Sequence, residues 1–259
     1  MTPGAVCSSM HRFDAWIPAE QEECWSRMLY IVEQQRRLAL ISGDGEVGKS
    51  WLLNVLINLA QRTAGRVLRL VDASGLSQDE FSQQLAAACG EPGDSWSAIE
   101  DWLWGAAAGG IHAVWIIDHF DQAGDDLGPA VRRLVRLTER TRAASTMIIA
   151  GRRWSELSTL SDLADLSCEV PAWSLETTMT FLERSVQPDT HGRPALTPAA
   201  MQGVYDCTLG VAGRVRRLCE LCLIAAELRE ETLIQVDLVL DVWRELLNPQ
   251  IPERRHLQC

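Results

Sequence analysis

The sequence predicts an α/β protein, a three-layer sandwich with helices on both faces of a parallel sheet, followed by a smaller all-helical part. Three observations carry this reading. Short apolar runs alternate with helical stretches over the first two thirds of the chain, as expected of strands buried on both faces and joined by crossover helices. A glycine-rich octet separates the first of these strands from the helix that follows it. Near residue 172 the strand signals stop and helical periodicity alone continues.

Taken in order, Arg37 to Ser42 reads as a buried strand and Trp51 to Leu59 as the helix after it. A second strand runs from Arg66 to Val71, and helical stretches follow around Gln78 to Cys89 and Trp96 to Ala107. Ile111 to Ile117 is apolar but too short for a globular helix, so it reads as a central strand that ends at Asp118. Pro129 can open a helix, because the first helical position needs no N–H. That helix turns Val131, Leu134, Val135 and Thr138 inward and puts Arg132, Arg136 and Arg140 on another face. Thr146 to Ala150 is the next strand, and a short one from Leu166 to Val170 stops at Pro171. Helices are then expected at 175–186, 197–208, 213–229 and 236–247.

The octet Gly43-Asp44-Gly45-Glu46-Val47-Gly48-Lys49-Ser50 matches G-x-x-x-x-G-K-[ST] at every position. Its chemistry is that of a phosphate-binding loop. Glycines let backbone N–H groups turn inward, and the N-terminus of the next helix adds partial positive charge. Lys49 is the sole lysine of the chain, every other cation among 24 being arginine. A compact ammonium on a flexible stem reaches between phosphate oxygens in a way a planar guanidinium does not. Gly43 through Ser50, with Trp51 opening the helix, therefore form the expected ATP-binding set. The Ser50 hydroxyl is the first expected ligand of Mg²⁺.

A carboxylate at the end of a buried strand is needed to complete the Mg²⁺ shell, and Asp118 supplies it after Ala113-Val114-Trp115-Ile116-Ile117. The glutamate that commonly follows, to orient or deprotonate water, is replaced by His119. Asp121 and Glu46 are the alternatives for that role. Arg152 or Arg153, after the strand ending at Ala150, can sense the γ-phosphate in cis or act across a subunit boundary. Arg214, opening a helix of the C-terminal part, is the expected lid cation, while Arg216 and Arg217 belong to a polar face.

The organisation that follows is a lead segment at 1–30 containing the start of a first helix, a phosphate-loop domain at 31–172, a helical lid at 173–250 and a tail at 251–259. No apolar run approaches the ~18 residues of a membrane span, and the first residues lack a signal-peptide core. The expected location is cytoplasmic. With 24 cations against 35 acids the net charge is −11, which argues against a generally nucleic-acid-coating surface. Eight cysteines are spread thinly and are expected as reduced thiols. Cys219 and Cys222 lie on the stripe Val215, Leu218, Cys222, Ala225 and read as core.

With these pieces placed, the chain from about Trp16 to Leu247 resembles the AAA+ ATPases of the general secretion protein A family and, more distantly, the transposition ATPases that regulate target choice. The likeness rests on GDGEVGKS, on VWIIDHFDQ, on Pro171 to Thr177, and on LTPAAMQGVYDCTLGVAGRVRRLCELC with a last helix ending Trp243 to Leu247. Three departures stand out. The family's Asp-Glu pair is Asp118-His119, its Gly-x-Pro-Arg becomes Gly210-Val211-Ala212-Gly213 with the sensor role passing to Arg214, and Leu166-Ser167-Cys168 replaces an arginine where the last strand begins. Secretion members continue into a membrane span and a peptidoglycan-binding domain, and the expectation for these 259 residues is a different role. The resemblance implies a homo-oligomer, as ring or filament, switched by ATP and hydrolysing it slowly to ADP. A DNA-associated regulator using Arg132, Arg136 and Arg140 and a nucleotide-binding scaffold without turnover are the alternatives.

Overall fold

The computed structural model describes residues 16–60, 65–90, 95–152, 157–185 and 194–247. The described residues divide into two compact units, 16–171 and 172–247.

The first unit is the sheet. Its strands are β1 (Leu38–Ser42), β2 (Arg66–Asp72), β3 (His112–Asp118), β4 (Ser145–Ala150) and β5 (Leu166–Glu169), in spatial order β2-β3-β4-β1-β5. Every pairing is parallel. Its helices are α1 (Glu22–Glu33), α2 (Lys49–Ala60), α3 (Gln78–Ala88), α4 (Ser95–Ala108) and α5 (Gly128–Thr141).

The period-two rule of a strand explains why the central strands are apolar at every position. Along β3, Ala113, Trp115 and Ile117 enter one core with Phe81, Ile99 and Leu134, whereas Val114 and Ile116 enter the other with Met28, Ile31 and Leu52. β1 and β4 divide in the same way, Leu40 and Ile149 to the first core, Ile41 and Ile148 to the second. Trp115 is fully buried; its indole N–H donates to the Ser145 hydroxyl at 3.2 Å and its ring meets Trp102 edge-on, centroids 5.7 Å apart. A capping box opens α3, where the Ser77 side chain accepts from the Glu80 amide and Glu80 returns to the Ser77 amide.

Two arginines of α5 are engaged by carboxylates of neighbouring elements. Arg132 donates to both oxygens of Asp162, at 2.7 and 2.8 Å, and Arg140 pairs with Glu100. Arg136 is exposed between them.

The second unit holds α6 (Leu175–Ser185), α7 (Pro198–Thr208), α8 (Ala212–Leu228) and α9 (Val236–Leu247). Thr197 caps α7 by accepting from the Ala200 amide, and Pro198 occupies its first turn. Beyond the all-helical expectation, β6 (Ala195–Leu196) pairs in parallel with β7 (Leu233–Ile234). Two residues a side are too few to leave an alternating pattern, yet the ladder fixes the entries to α7 and α9. Cys219 and Cys222 are buried with Val215, Leu218 and Ala226. Burial pushes both thiols up, Cys222 to about 12, so neither is poised as a thiolate ligand at neutral pH. At the turn between α7 and α8, Gly210 has φ +69° and its missing Cβ would lie 1.9 Å from the Trp173 carbonyl oxygen. No other residue fits there.

His112 starts β3 wholly inside the protein, 2% exposed, with Nε2 2.9 Å from the Thr146 hydroxyl. Burial and the nearby Arg66 charge lower its pKa from 6.5 to about 4, so the native ring is neutral while the unfolded chain binds a proton below about pH 6.5. Its contribution is complete above pH 6.5 and is lost as pH falls toward 4, a change of about 3 kcal/mol. Urea unfolding between pH 7 and 4 should show this fall, and His112→Gln should remove most of it.

Candidate functional site

Residues 43–48 link β1 to α2, whose first turn holds Lys49 and Ser50, at the carboxyl edge of the sheet. Three backbone features give the loop its shape. Gly43 has φ +151° and a Cβ there would stand 2.7 Å from the Val170 carbonyl oxygen, so the loop leaves β1 in contact with the end of β5. Glu46 and Gly48 take positive φ, +66° and +111°. For Glu46 this left-handed conformation is a strained one of the kind that clusters at ligand loops.

Lys49 is 8% exposed. Its ammonium donates to the carbonyl oxygens of Gly43, at 2.6 Å, and Asp44, at 2.8 Å, both in its own loop. Burial lowers its pKa, against the opposing pull of the nearby Asp121 and Asp118 carboxylates, with Arg152 adding to the lowering. The cation and both carboxylates named from the sequence thus converge at one edge. Ser50 is half-buried in the first turn of α2, beside Trp51.

Asp118 ends β3, is 7% exposed and accepts from the His119 amide at 2.8 Å. His119 turns the chain with φ +53°. Its Nδ1 lies 3.0 Å from an Asp72 oxygen and its Nε2 4.0 Å from Asp118. Asp72 ends β2 in register with Asp118. Burial raises its pKa, but hydrogen bonds from the hydroxyl and amide of Ser74 and from His119 outweigh it, leaving the carboxyl below its usual range.

Asp121 accepts from the Arg152 amide at 2.8 Å and so ties the turn after β3 to the end of β4. Gly151 permits that approach, since a Cβ would meet the same Asp121 oxygen at 3.2 Å. The Arg152 guanidinium reaches back over Gly45, its Nε 3.5 Å from where a Cβ would be. Arg153 lies outside the described residues. Arg214 is exposed in the first turn of α8, in the other unit.

Two participants carry little sequence signal. Gln21, fully buried just before α1, donates from its amide to the carbonyls of Val47 and Pro171 at 3.0 and 3.1 Å, bracing the loop against the exit of β5. Asp72 had one cue, an apolar run ending in aspartate like that of β3. Among the described residues no group of three or more His, Cys, Asp or Glu gathers as a metal site. The Ser50 hydroxyl and the Asp118 carboxylate are oxygen donors of the type a hard cation such as Mg²⁺ takes together with phosphate oxygens and water.

The fold can be matched to known structures. It aligns with the origin recognition complex of Drosophila bound to DNA at TM-score 0.68 and 13% identity, covering 93% of this chain and 66% of that one. A Cdc6 protein of Pyrobaculum aerophilum matches at TM-score 0.68 and 13% identity, over 86% of this chain and 66% of that one. The Holliday junction branch migration motor RuvB of Thermotoga maritima matches at TM-score 0.60 and 16% identity, over 92% and 74%. The fold is that of the AAA+ P-loop ATPases. The chain spans just under two thirds of the length of the first two relatives. No protein-family model and no curated protein matches the sequence. No helix of the described residues is long and apolar enough to cross a membrane.

The close approach at Gly43 makes a testable demand. Gly43→Ala should force the loop off the Val170 carbonyl and cost about 1–3 kcal/mol of stability, read as a lower urea midpoint with an unchanged slope.

Proposed function

We propose that residues 43–51 bind ATP with Mg²⁺ and that the protein is a slow ATP hydrolase acting as an ATP-dependent oligomeric switch. The observation that carries this reading is the buried Lys49 ammonium, held on two carbonyls of its own loop and within the electrostatic influence of the Asp121 and Asp118 carboxylates. Exchanging neutral carbonyls for phosphate oxygens converts two ordinary hydrogen bonds into charge-assisted ones. Ser50 and Asp118 are the residues that would hold Mg²⁺, which supplies charge neutralisation at the β- and γ-phosphates when bound.

Slow turnover is supported by the chemistry at position 119. A histidine hydrogen-bonded to Asp72 replaces a free glutamate, and Asp121 has one oxygen committed to the Arg152 amide. Arg152 over Gly45 of its own chain supports a cis role at the γ-phosphate rather than a finger reaching across subunits. Arg214 is the proposed lid cation, and a homo-oligomer in ring or filament form is the proposed assembly, with the narrower kinship to secretion and transposition ATPases and a cytoplasmic location belonging to the same reading.

Duplex DNA is the weaker partner. One structural relative is described as bound to DNA and another as a Holliday junction branch migration motor. The α5 arginines do not form a free stripe, since Arg132 and Arg140 are already paired with Asp162 and Glu100.

Lys49→Ala should weaken Mg-ATP binding at least 100-fold by equilibrium titration with a fluorescent analogue. Asp118→Asn should keep binding within about tenfold and abolish Mg²⁺-dependent phosphate release. Light scattering should show an increase in mass with ATP in the unmodified protein and in Asp118→Asn, and none in Lys49→Ala. Unchanged affinity in Lys49→Ala would overturn the reading, and binding without any phosphate release would leave a nucleotide-binding scaffold.

A further inference from the structure

Cys24 on α1 and Cys168 on β5 are separated by 144 positions, yet their sulfurs lie 2.6 Å apart. That is inside the contact distance of two unbonded sulfurs and just beyond the ~2.05 Å of an S–S bond. The two thiols differ in exposure. Cys24 is 2% exposed and Cys168 9%. Cys168 also forms part of the wall of a cavity of about 350 Å³, together with Arg27, Ser42, Gly43, Asp44 and Glu169. Arg27 donates to the Ser167 carbonyl at 3.0 Å, placing a guanidinium beside the pair. The Cys168 contact and burial push the Cys24 thiol up, with the Arg27 charge opposing them more weakly.

We propose that Cys24 and Cys168 form a reversible, peroxide-sensitive disulfide site, with Cys168 as the oxidised thiol and Cys24 as the resolving one. Hydrogen peroxide transfers one oxygen to the Cys168 sulfur, giving a sulfenic acid and releasing water. The Cys24 sulfur then attacks the Cys168 sulfur; the S–S bond forms as the S–O bond breaks, and the leaving hydroxide takes the Cys24 proton to make a second water. Two thiols and one peroxide become one disulfide and two waters. With Cys24 2% and Cys168 9% exposed, a small peroxide reaches the sulfurs more readily than a bulky disulfide such as oxidised glutathione.

The cross-link would join the two elements that flank the phosphate loop. Gln21, one position before α1, holds the Val47 and Pro171 carbonyls, and the Val170 carbonyl beyond β5 is the contact that Gly43 accommodates.

The test uses the full chain, reduced and then exposed to hydrogen peroxide or to oxidised glutathione, with peptide mapping by mass spectrometry. Peroxide should yield a linked peptide pair containing Cys24 and Cys168, lighter by two hydrogens and restored by dithiothreitol. The closed loop is long, so the oxidised form should melt higher by about 5–10 °C. Oxidised glutathione should link the pair far more slowly. In Cys24→Ala the linked peptide should vanish and Cys168 should stop at a sulfenic acid that dimedone traps. Sulfinic acid at Cys168 without a linked pair in the unmodified protein, linkage of Cys168 to a different cysteine, or equal rates with the two oxidants would each overturn the proposal.

Discussion

The site depends on one ammonium group and where its protons go. Lys49 is buried among carbonyls that are themselves part of the phosphate loop, and burying a cation is unfavourable unless every donor is satisfied. Asp118 and Asp121 offset that cost electrostatically. They lie at the carboxyl edge because the sheet is parallel with β3 and β4 central, the arrangement in which α/β proteins gather their ligands. The loop, the sheet order and the buried charge are one constraint seen at three scales.

The bracing around the loop follows from the same need. Gly43 allows contact with the end of β5, Gln21 fixes Val47 and Pro171, and Asp121 fixes the amide after Gly151. Each removes a freedom the loop would otherwise lose on meeting a ligand, which is how preorganisation improves affinity. The paired sulfurs of Cys24 and Cys168 sit at the seam of this frame.

Much of the fold was legible in the sequence because apolar strands bounded by special residues report themselves. His112–Asp118 is buried at every position, and no amphipathic helix has that pattern. The loop was legible because its glycines and lysine have a chemical purpose that few other sequences share. What escaped were features that depend on distant neighbours. The arginine spacing of α5 announces a shared face but cannot say that Asp162 and Glu100 wait opposite it. Asp72 beside His119, Gln21 beneath Val47, and the two-residue β6–β7 ladder are likewise products of parallel register and packing. Only the folded chain brings them together.

The most direct measurement is the structure of the protein with Mg²⁺ and a non-hydrolysable ATP analogue. The Lys49 ammonium should leave the Gly43 and Asp44 carbonyls for phosphate oxygens, with Ser50 and Asp118 on the side of the metal. A nucleotide bound elsewhere, with Lys49 still on its own loop, would contradict the account.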